Sequence, residues 1–199
     1  DVPDNTPLRT IAKVGVIGAG LLCNGITQSC AVAGIDVVMV DINDAAVQKG
    51  LNTISGSLDR LVKKEKMTAE QKAAAMARIK ATTKLADVAG SDIVIEAATE
   101  NLDLKLKLLK DIEAAIGPDA LIASNTSSIS ITKLAAATGR PDKFIGMHFF
   151  NPVPMMALVE LIRGLQTSDA THAAVEDLGR RLGKTPITVK NSPGFVVNR

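Results

Sequence analysis

Residues 148–160 read HFFNPVPMMALVE and set a histidine, His148, and a carboxylate, Glu160, on either side of a proline-broken apolar loop. The chain has only two histidines. An imidazole oriented by a carboxylate can take a proton near neutral pH, because small environmental effects decide its charge there. Taken alone, a histidine beside apolar residues is more often a satisfied core residue. Glu160 alters that balance. It sits in the apolar run Ala157–Ile162, where an unpaired carboxylate is costly, and His148 is the suitable partner nearby in sequence. A solvent-facing place on an edge strand is the other reading of Glu160.

The elements that must position this pair follow from apolar periodicity. Residues 11–17 form a short apolar run ending in Gly-Ala-Gly, which reads as a strand and a tight turn. Residues 21–33 read as a helix closed by Gly34, and 35–40 as a second buried strand ending at Asp41. Residues 43–81, rich in Ala, Lys and Glu, read as two helices that turn near Met67-Thr68. Thr68 and Gln71 have the spacing of a capping box. Such a hairpin is expected to project from the sheet rather than cover it. The α/β rhythm then resumes, with strands at 92–95, 120–123, 143–147, 158–162 and 185–189 and helices at 102–116, 129–137 and 171–182. The expected fold class is α/β: a doubly wound, mainly parallel sheet of Rossmann type with a projecting helical hairpin. Residues 1–10 read as a flexible leader and 11–199 as one nucleotide-binding domain.

The turn after the first strand has the chemistry of a phosphate cradle. One glycine closes the turn, the next lets backbone approach a pyrophosphate, and the helix N-terminus presents N–H groups and partial positive charge. Gly18 and Gly20 fill the first two roles. The third position of G-x-G-x-x-G is Cys23, a small residue that predicts a slightly displaced helix; Gly25 continues the glycine spacing. Asp41 at the end of the second strand can accept hydrogen bonds from both ribose hydroxyls and repel a 2′-phosphate, which favours NAD over NADP. Its alternative is a cap for the helix beginning near Asn43 or Asp44.

Composition narrows the classes. In 199 residues, an apolar fraction of 46% supports a real core, and a formal charge of +2 implies no broad polyanion-binding surface. Four phenylalanines without Trp or Tyr leave almost no base-stacking platforms, so nucleic-acid binding is not expected. No run of about 18 apolar residues suggests a membrane span. Cys23 and Cys30, if on one helix, lie about 10 Å apart, beyond disulfide reach. They read as buried hydrophobes in a reducing, cytoplasmic setting. No metal site is expected.

Two polar groups remain. The loop Ser124-Asn125-Thr126-Ser127-Ser128 follows a strand end and could hold a substrate oxygen, or could be an ordinary turn with capping serines. Arg60, Lys63, Lys64 and Lys66 are either solvated surface or a handle for a phosphate-rich ligand.

The segments GVIGAG, VIEAATENLDLK, ASNTSSISIT, GMHFFNPVPMMALVELI and NSPGFVVNR, in this order, resemble the L-3-hydroxyacyl-CoA dehydrogenase family, which includes bacterial 3-hydroxybutyryl-CoA dehydrogenases. The resemblance runs from about Ile11 to Arg199. It implies NAD-dependent oxidation of a 3-hydroxyacyl-CoA to a 3-oxoacyl-CoA, or the reverse. His148 then takes the 3-hydroxyl proton, and Glu160 orients the imidazole and stabilises its charged form. Ser127 and Asn198 match polar residues near the reacting oxygen and thioester, and Asn151 one near the nicotinamide. Glu100 and Lys105 match cofactor-site positions; Ser57 and Lys64 match hairpin positions that meet the CoA nucleotide. The chain departs from the family at Cys23 and in ending at Arg199, where the family continues into an all-helical domain that closes the cleft and forms most of the dimer interface. NAD binding is expected to survive in this chain and turnover to be weak or absent. A catalytically silent NAD-binding fragment and a dehydrogenase of a non-CoA 3-hydroxy acid are the alternatives.

Overall fold

Runs of consecutive apolar residues, many of them β-branched, form the middle of a single sheet, as they must where helices cover both faces. The structure, a computed structural model, describes residues 9–18 and 20–190. Its strands are β1 (Lys13–Ile17), β2 (Asp36–Val40), β3 (Ile79–Thr82), β4 (Ile93–Glu96), β5 (Leu121–Ser124), β6 (Phe144–Phe149), β7 (Leu158–Arg163) and β8 (Thr185–Lys190). They lie in the order β3-β2-β1-β4-β5-β6-β7-β8. Every neighbouring pair is parallel except β6 and β7. The helices are α1 (Leu21–Val32), α2 (Asp44–Lys63), α3 (Ala69–Ala77), α4 (Leu102–Ala115), α5 (Ile131–Ala136) and α6 (Asp169–Arg181). The doubly wound, mainly parallel architecture is the one expected.

Two-residue alternation splits the core into two layers. Val14, Val16, Val37, Met39, Ile93, Ile95, Ile145 and Met147 pack on the side of α1 and α6. Ile17, Val38, Val40, Val94, Ile122 and Phe144 pack on the side of α4 and α5.

The helical hairpin lies on α1. Ile54 and Leu58 of α2 are fully buried, one turn apart. A Cβ at Gly50 would stand 2.8 Å from Asn24 Oδ1 on α1, so the two helices meet closely there. The capping box forms at α3: Thr68 Oγ1 accepts from the Gln71 N–H (3.0 Å), and Gln71 Oε1 accepts from the Thr68 N–H (2.9 Å). Lys72 on α3 pairs with Asp59 on α2 at 2.5 Å.

One expectation within 43–81 is corrected. The second helix ends at Ala77, and Ile79–Thr82 form strand β3 at the sheet edge. Four residues carry too little periodicity to announce a strand. The ladder with β2 supplies what propensity does not: the Val37 N–H donates to Arg78 O (3.0 Å) and the Asp41 N–H to Thr82 O (3.0 Å). Of the expected leader, residues 1–8 lie outside the described residues, and Arg9 reaches Asp92 at 3.9 Å.

Gly25 also plays a different part from the one its spacing suggested. It sits inside α1, away from the glycine turn, where a Cβ would come within 2.6 Å of Val153 Cβ and 3.2 Å of Pro154 Cδ. Its missing side chain lets the loop after β6 press onto the helix, so it is a packing glycine. Gly25→Ala should therefore destabilise the fold by about 1–3 kcal/mol through overpacking, a Tm loss of about 2–4 °C per kcal/mol for a chain this size. Thermal unfolding followed by circular dichroism measures this, and an unchanged Tm would contradict the contact.

Candidate active site

Parallel strands end together, so the loops after β1, β2, β4, β5 and β6 share the carboxyl edge of the sheet, where open α/β sheets bind ligands. At the β1 end, Gly18 has φ 138° and Gly20 φ 93°, both in the region that favours glycine. A Cβ on Gly18 would stand 2.8 Å from Cys23 Sγ and 2.9 Å from Ala98 Cα, so no side chain fits. Gly20 has open space where its Cβ would be. Among the described α-helices, α2 to α6 each have a side-chain cap, from Asn43, Thr68, Asn101, Ser130 and Ser168; α1, whose N-cap is Gly20, has none. Its first N–H groups thus lack a side-chain acceptor, and the arrangement fits a pyrophosphate.

Cys23 occupies the third glycine position without blocking the turn. Its Sγ lies 3.8 Å from Ile17 O and 3.6 Å from Ala97 O. Burial, helped by the charges of Glu96 and Asp41, pushes its thiol up to about 12, so it stays protonated. Cys30 is likewise buried and pushed up to about 12. Both cysteines are free.

Asp41 follows β2 directly and is buried. Asn43 caps α2 through the Ala46 N–H (2.8 Å), which removes the capping alternative for Asp41. The Asp41 carboxylate accepts only from the adjacent Ile42 N–H (2.7 Å) among the described hydrogen bonds. Ile42, Leu21 and Leu104 are exposed apolar residues on the same edge.

At the ends of β4 and β5 lies a buried ionic cluster. Lys105 on α4 and Glu96 at the end of β4 have no exposed side-chain surface, and Lys105 Nζ is 2.9 Å from Glu96 Oε1. The Ser124 hydroxyl donates to the same oxygen at 2.7 Å. Glu96 Oε2 accepts from the Ala98 N–H at 2.8 Å. Lys105 Nζ also donates to Asn125 O at 3.3 Å. Lys105, expected as a cofactor-site residue, thus spends its ammonium inward. Glu96 was missed. The signal that could have found it is the one that found Glu160: a carboxylate ending an apolar run needs a partner.

Glu100 gathers the polar loop after β5. Its carboxylate accepts from Ser128 Oγ (2.9 Å), Thr126 Oγ1 (3.1 Å) and the Ser127 N–H (3.4 Å), and stands 3.7 Å from Lys105. Partial burial works to raise its pKa, but the Ser128 and Thr126 hydrogen bonds and the Lys105 charge hold the carboxyl below its usual range. Ser127 itself is exposed.

His148 belongs to β6 as its next-to-last residue, one step further into the strand than expected. Glu160 is its cross-strand partner in the antiparallel β6–β7 register. Paired residues project to the same face, and His148 Nδ1 is 3.1 Å from Glu160 Oε1. An ionised carboxylate can only accept, so Nδ1 carries the proton and Nε2 of the neutral ring is left as a free base. The ring packs at 4.6 Å between centroids on Phe150. The other histidine, His172, is buried; its Nε2 meets Thr188 Oγ1 at 2.7 Å, and burial lowers its pKa. It is the core histidine.

Asn151 is exposed on the bend just beyond β6. That loop is held by Lys184, whose Nζ donates to Val153 O (2.5 Å) and Met156 O (2.7 Å). Ser57 and Lys64 sit on the hairpin, half-buried and exposed respectively, Ser57 within α2 and Lys64 at the cap that ends it. Asn198 lies outside the described residues. No helix among the described residues is long and apolar enough to cross a membrane.

Residues 13–192 match the family described as 3-hydroxyacyl-CoA dehydrogenase, NAD binding domain. The chain is 50% identical over 189 residues to a 3-hydroxybutyryl-CoA dehydrogenase of Bradyrhizobium diazoefficiens, covering 95% of this chain and 64% of the relative. It is 48% identical to a probable 3-hydroxybutyryl-CoA dehydrogenase of Deinococcus radiodurans, covering 94% of this chain and 67% of the relative. The crystal structure of (S)-3-hydroxybutyryl-CoA dehydrogenase PaaH1 from Ralstonia eutropha superposes with a TM-score of 0.92 at 69% identity, over 96% of this chain and 67% of that one. The chain thus spans about two thirds of the length of these relatives. Its mainly parallel sheet, its open glycine turn and its histidine–carboxylate edge are accounted for together: this chain belongs to the family of 3-hydroxyacyl-CoA dehydrogenase NAD-binding domains.

Proposed function

We propose that this chain is the cofactor-holding and proton-transferring part of an NAD-dependent dehydrogenase that interconverts 3-hydroxyacyl-CoA and 3-oxoacyl-CoA. The short-chain pair 3-hydroxybutyryl-CoA and acetoacetyl-CoA is the proposed substrate, in line with what the relatives' names say of those proteins. The observation that carries the reading is the His148–Glu160 pair, 3.1 Å apart at the same sheet edge as the Gly18–Gly20 turn.

NAD, when bound, supplies a hydride acceptor. The free α1 N-terminus and the open space at Gly20 receive its pyrophosphate. Asp41 holds the ribose hydroxyls and disfavours a 2′-phosphate. His148 Nε2 takes the 3-hydroxyl proton as the C3–H bond breaks. The charge that develops on the ring is offset by Glu160, which also fixes the tautomer. Ser127, Asn198 and Asn151 are proposed to hold the reacting oxygen, the thioester and the nicotinamide. Glu100 acts on Ser127 by ordering its loop. Ser57 and Lys64 are proposed to meet the CoA nucleotide. A cytoplasmic setting is inferred from the two free, buried cysteines. Dimerisation and full turnover are inferred to depend on the all-helical region that the resemblance implies.

Three outcomes test this reading. His148→Gln should lower turnover of acetoacetyl-CoA with NADH by about 10²–10⁴-fold while the NADH Kd stays put. Loss of NADH absorbance reports the rate and fluorescence titration the affinity; undiminished turnover would remove the base assignment. NADH should bind more tightly than NADPH, because an acidic side chain at the end of β2 would repel the extra phosphate, and equal dissociation constants would contradict that. Lys64→Ala should raise the KM for acetoacetyl-CoA several-fold with kcat nearly unchanged, the pattern of a lost uniform binding contact. An unaltered KM would favour a substrate without CoA.

A further inference from the structure

Strand β5 stops three residues before its neighbour does. Their register runs Ile122↔Phe144, Ala123↔Ile145 and Ser124↔Gly146, while β6 continues to Phe149. On that side the Phe149 N–H meets no strand. The side chain of Asn125, the residue after β5, takes the strand's place: its Oδ1 accepts from the Phe149 N–H at 2.8 Å. Asn125 is itself held from two directions. Its N–H donates to Glu96 O at 2.8 Å, and its carbonyl accepts from the buried Lys105 ammonium at 3.3 Å.

We propose that Asn125 is a positioning residue for the proton-transfer site, its carboxamide extending the β5 edge by one hydrogen bond to fix the end of β6 that carries His148. The inference rests on the reading of His148 as the base. Phe149 lies between His148 and Phe150, whose rings pack together. Beyond Gly146 the backbone of β6 is paired with β7 alone. Without the clamp, this end of the strand can fray on its β5 side and carry the imidazole with it. A reacting group misplaced by about 1 Å can lose about 10²-fold in rate without loss of binding. The clamp ends in a fully buried ion pair, Lys105 with Glu96. Asn125 acts through the main chain of its neighbour, so its effect falls on kcat.

The test compares Asn125→Ala with Asn125→Asp, which keeps an accepting oxygen in the same place. Steady-state kinetics with acetoacetyl-CoA and NADH are read on this chain extended by an all-helical region of the kind the resemblance implies, beside His148→Gln. Amide hydrogen exchange at Phe149 is read by NMR on this chain. Asn125→Ala should lower kcat by about 10–100-fold, with KM and NADH Kd within about twofold, and should speed Phe149 exchange. Asn125→Asp should stay close to the parent in both readouts. Should Asn125→Ala not fold, Asn125→Ser, whose side chain is one bond too short for the clamp, replaces it. An unchanged kcat, equal damage in the Ala and Asp variants, or a change confined to KM would overturn the proposal. Full turnover in His148→Gln would instead overturn the base assignment, and the Phe149 exchange rates would still report whether the clamp exists.

Discussion

Everything at this edge depends on the two-residue alternation of the sheet and on its register. On β4, β5, β6 and β7 the residues that face α4 and α5 include Glu96, Ser124, His148 and Glu160, one set of parity across four strands. Because the period is two, a slip of one residue between β6 and β7 would turn Glu160 into the opposite layer and leave His148 facing an apolar neighbour. The register is therefore held by the core. Val159 and Leu161 are fully buried on the other face, so a slipped β7 would expose two aliphatic side chains and bury charge in their place. At about 25 cal/mol per Å² of apolar surface, the aliphatic packing of β7 is what pairs the carboxylate with the imidazole. Small residues assist: a Cβ at Gly146 would come within 2.8 Å of Ile131 on α5, so glycine at that place keeps the helix seated two residues from His148.

The buried Lys105–Glu96 pair is the costlier device. Removing two charges from water is repaid only when geometry is good and the remaining lone pairs and protons find partners. Here they do. Glu96 accepts from Lys105, Ser124 and the Ala98 N–H, and Lys105 also reaches Ser124 and Asn125 O. A pair of apolar residues could fill the same volume, but it could not hold helix α4 and the loops after β4 and β5 at once. A buried pair of this kind is weak evidence for stability and better evidence for fixed geometry. Losing one partner leaves a bare buried charge, at a cost of about 3–5 kcal/mol.

How much of this was legible in the sequence depended on whether the cause was local. β1, β2, β4 and β5 were readable because buried parallel strands are runs of apolar residues. The capping box at Thr68 and Gln71 was readable because it is a contact between residues three apart. β3 was not: IKAT has no period of its own and owes its conformation to ladder bonds with β2. The His148–Glu160 pair was readable from the expense of an acid in an apolar run, yet the same argument applied to Glu96, whose partner lies across a loop and a helix turn. Gly25 misled because glycine spacing says nothing about which neighbour comes close; the answer, Val153, is over a hundred residues away in the chain. Asn125 was visible only as part of a polar loop, since its partner is a backbone N–H on another strand.

The end of β4 joins the two halves of the site. Ala97 and Ala98 lie under the glycine turn, with Ala98 Cα 2.9 Å from where a Cβ of Gly18 would stand. The Ala98 N–H is fixed by one oxygen of the Glu96 carboxylate, and the other oxygen holds Lys105 and Ser124. From Lys105 the connection runs through Asn125 to the residue after His148. One buried carboxylate thus sets the floor of the nucleotide turn and anchors the strand that carries the imidazole. In the proposed reaction hydride and proton leave neighbouring atoms of one substrate, which would require a fixed separation between the group that binds the dinucleotide and the group that takes the proton. Packing alone leaves loop ends some freedom. A chain of charge-assisted hydrogen bonds through a fully buried pair removes much of that freedom. It does so at the sheet edge, where the strands themselves have run out.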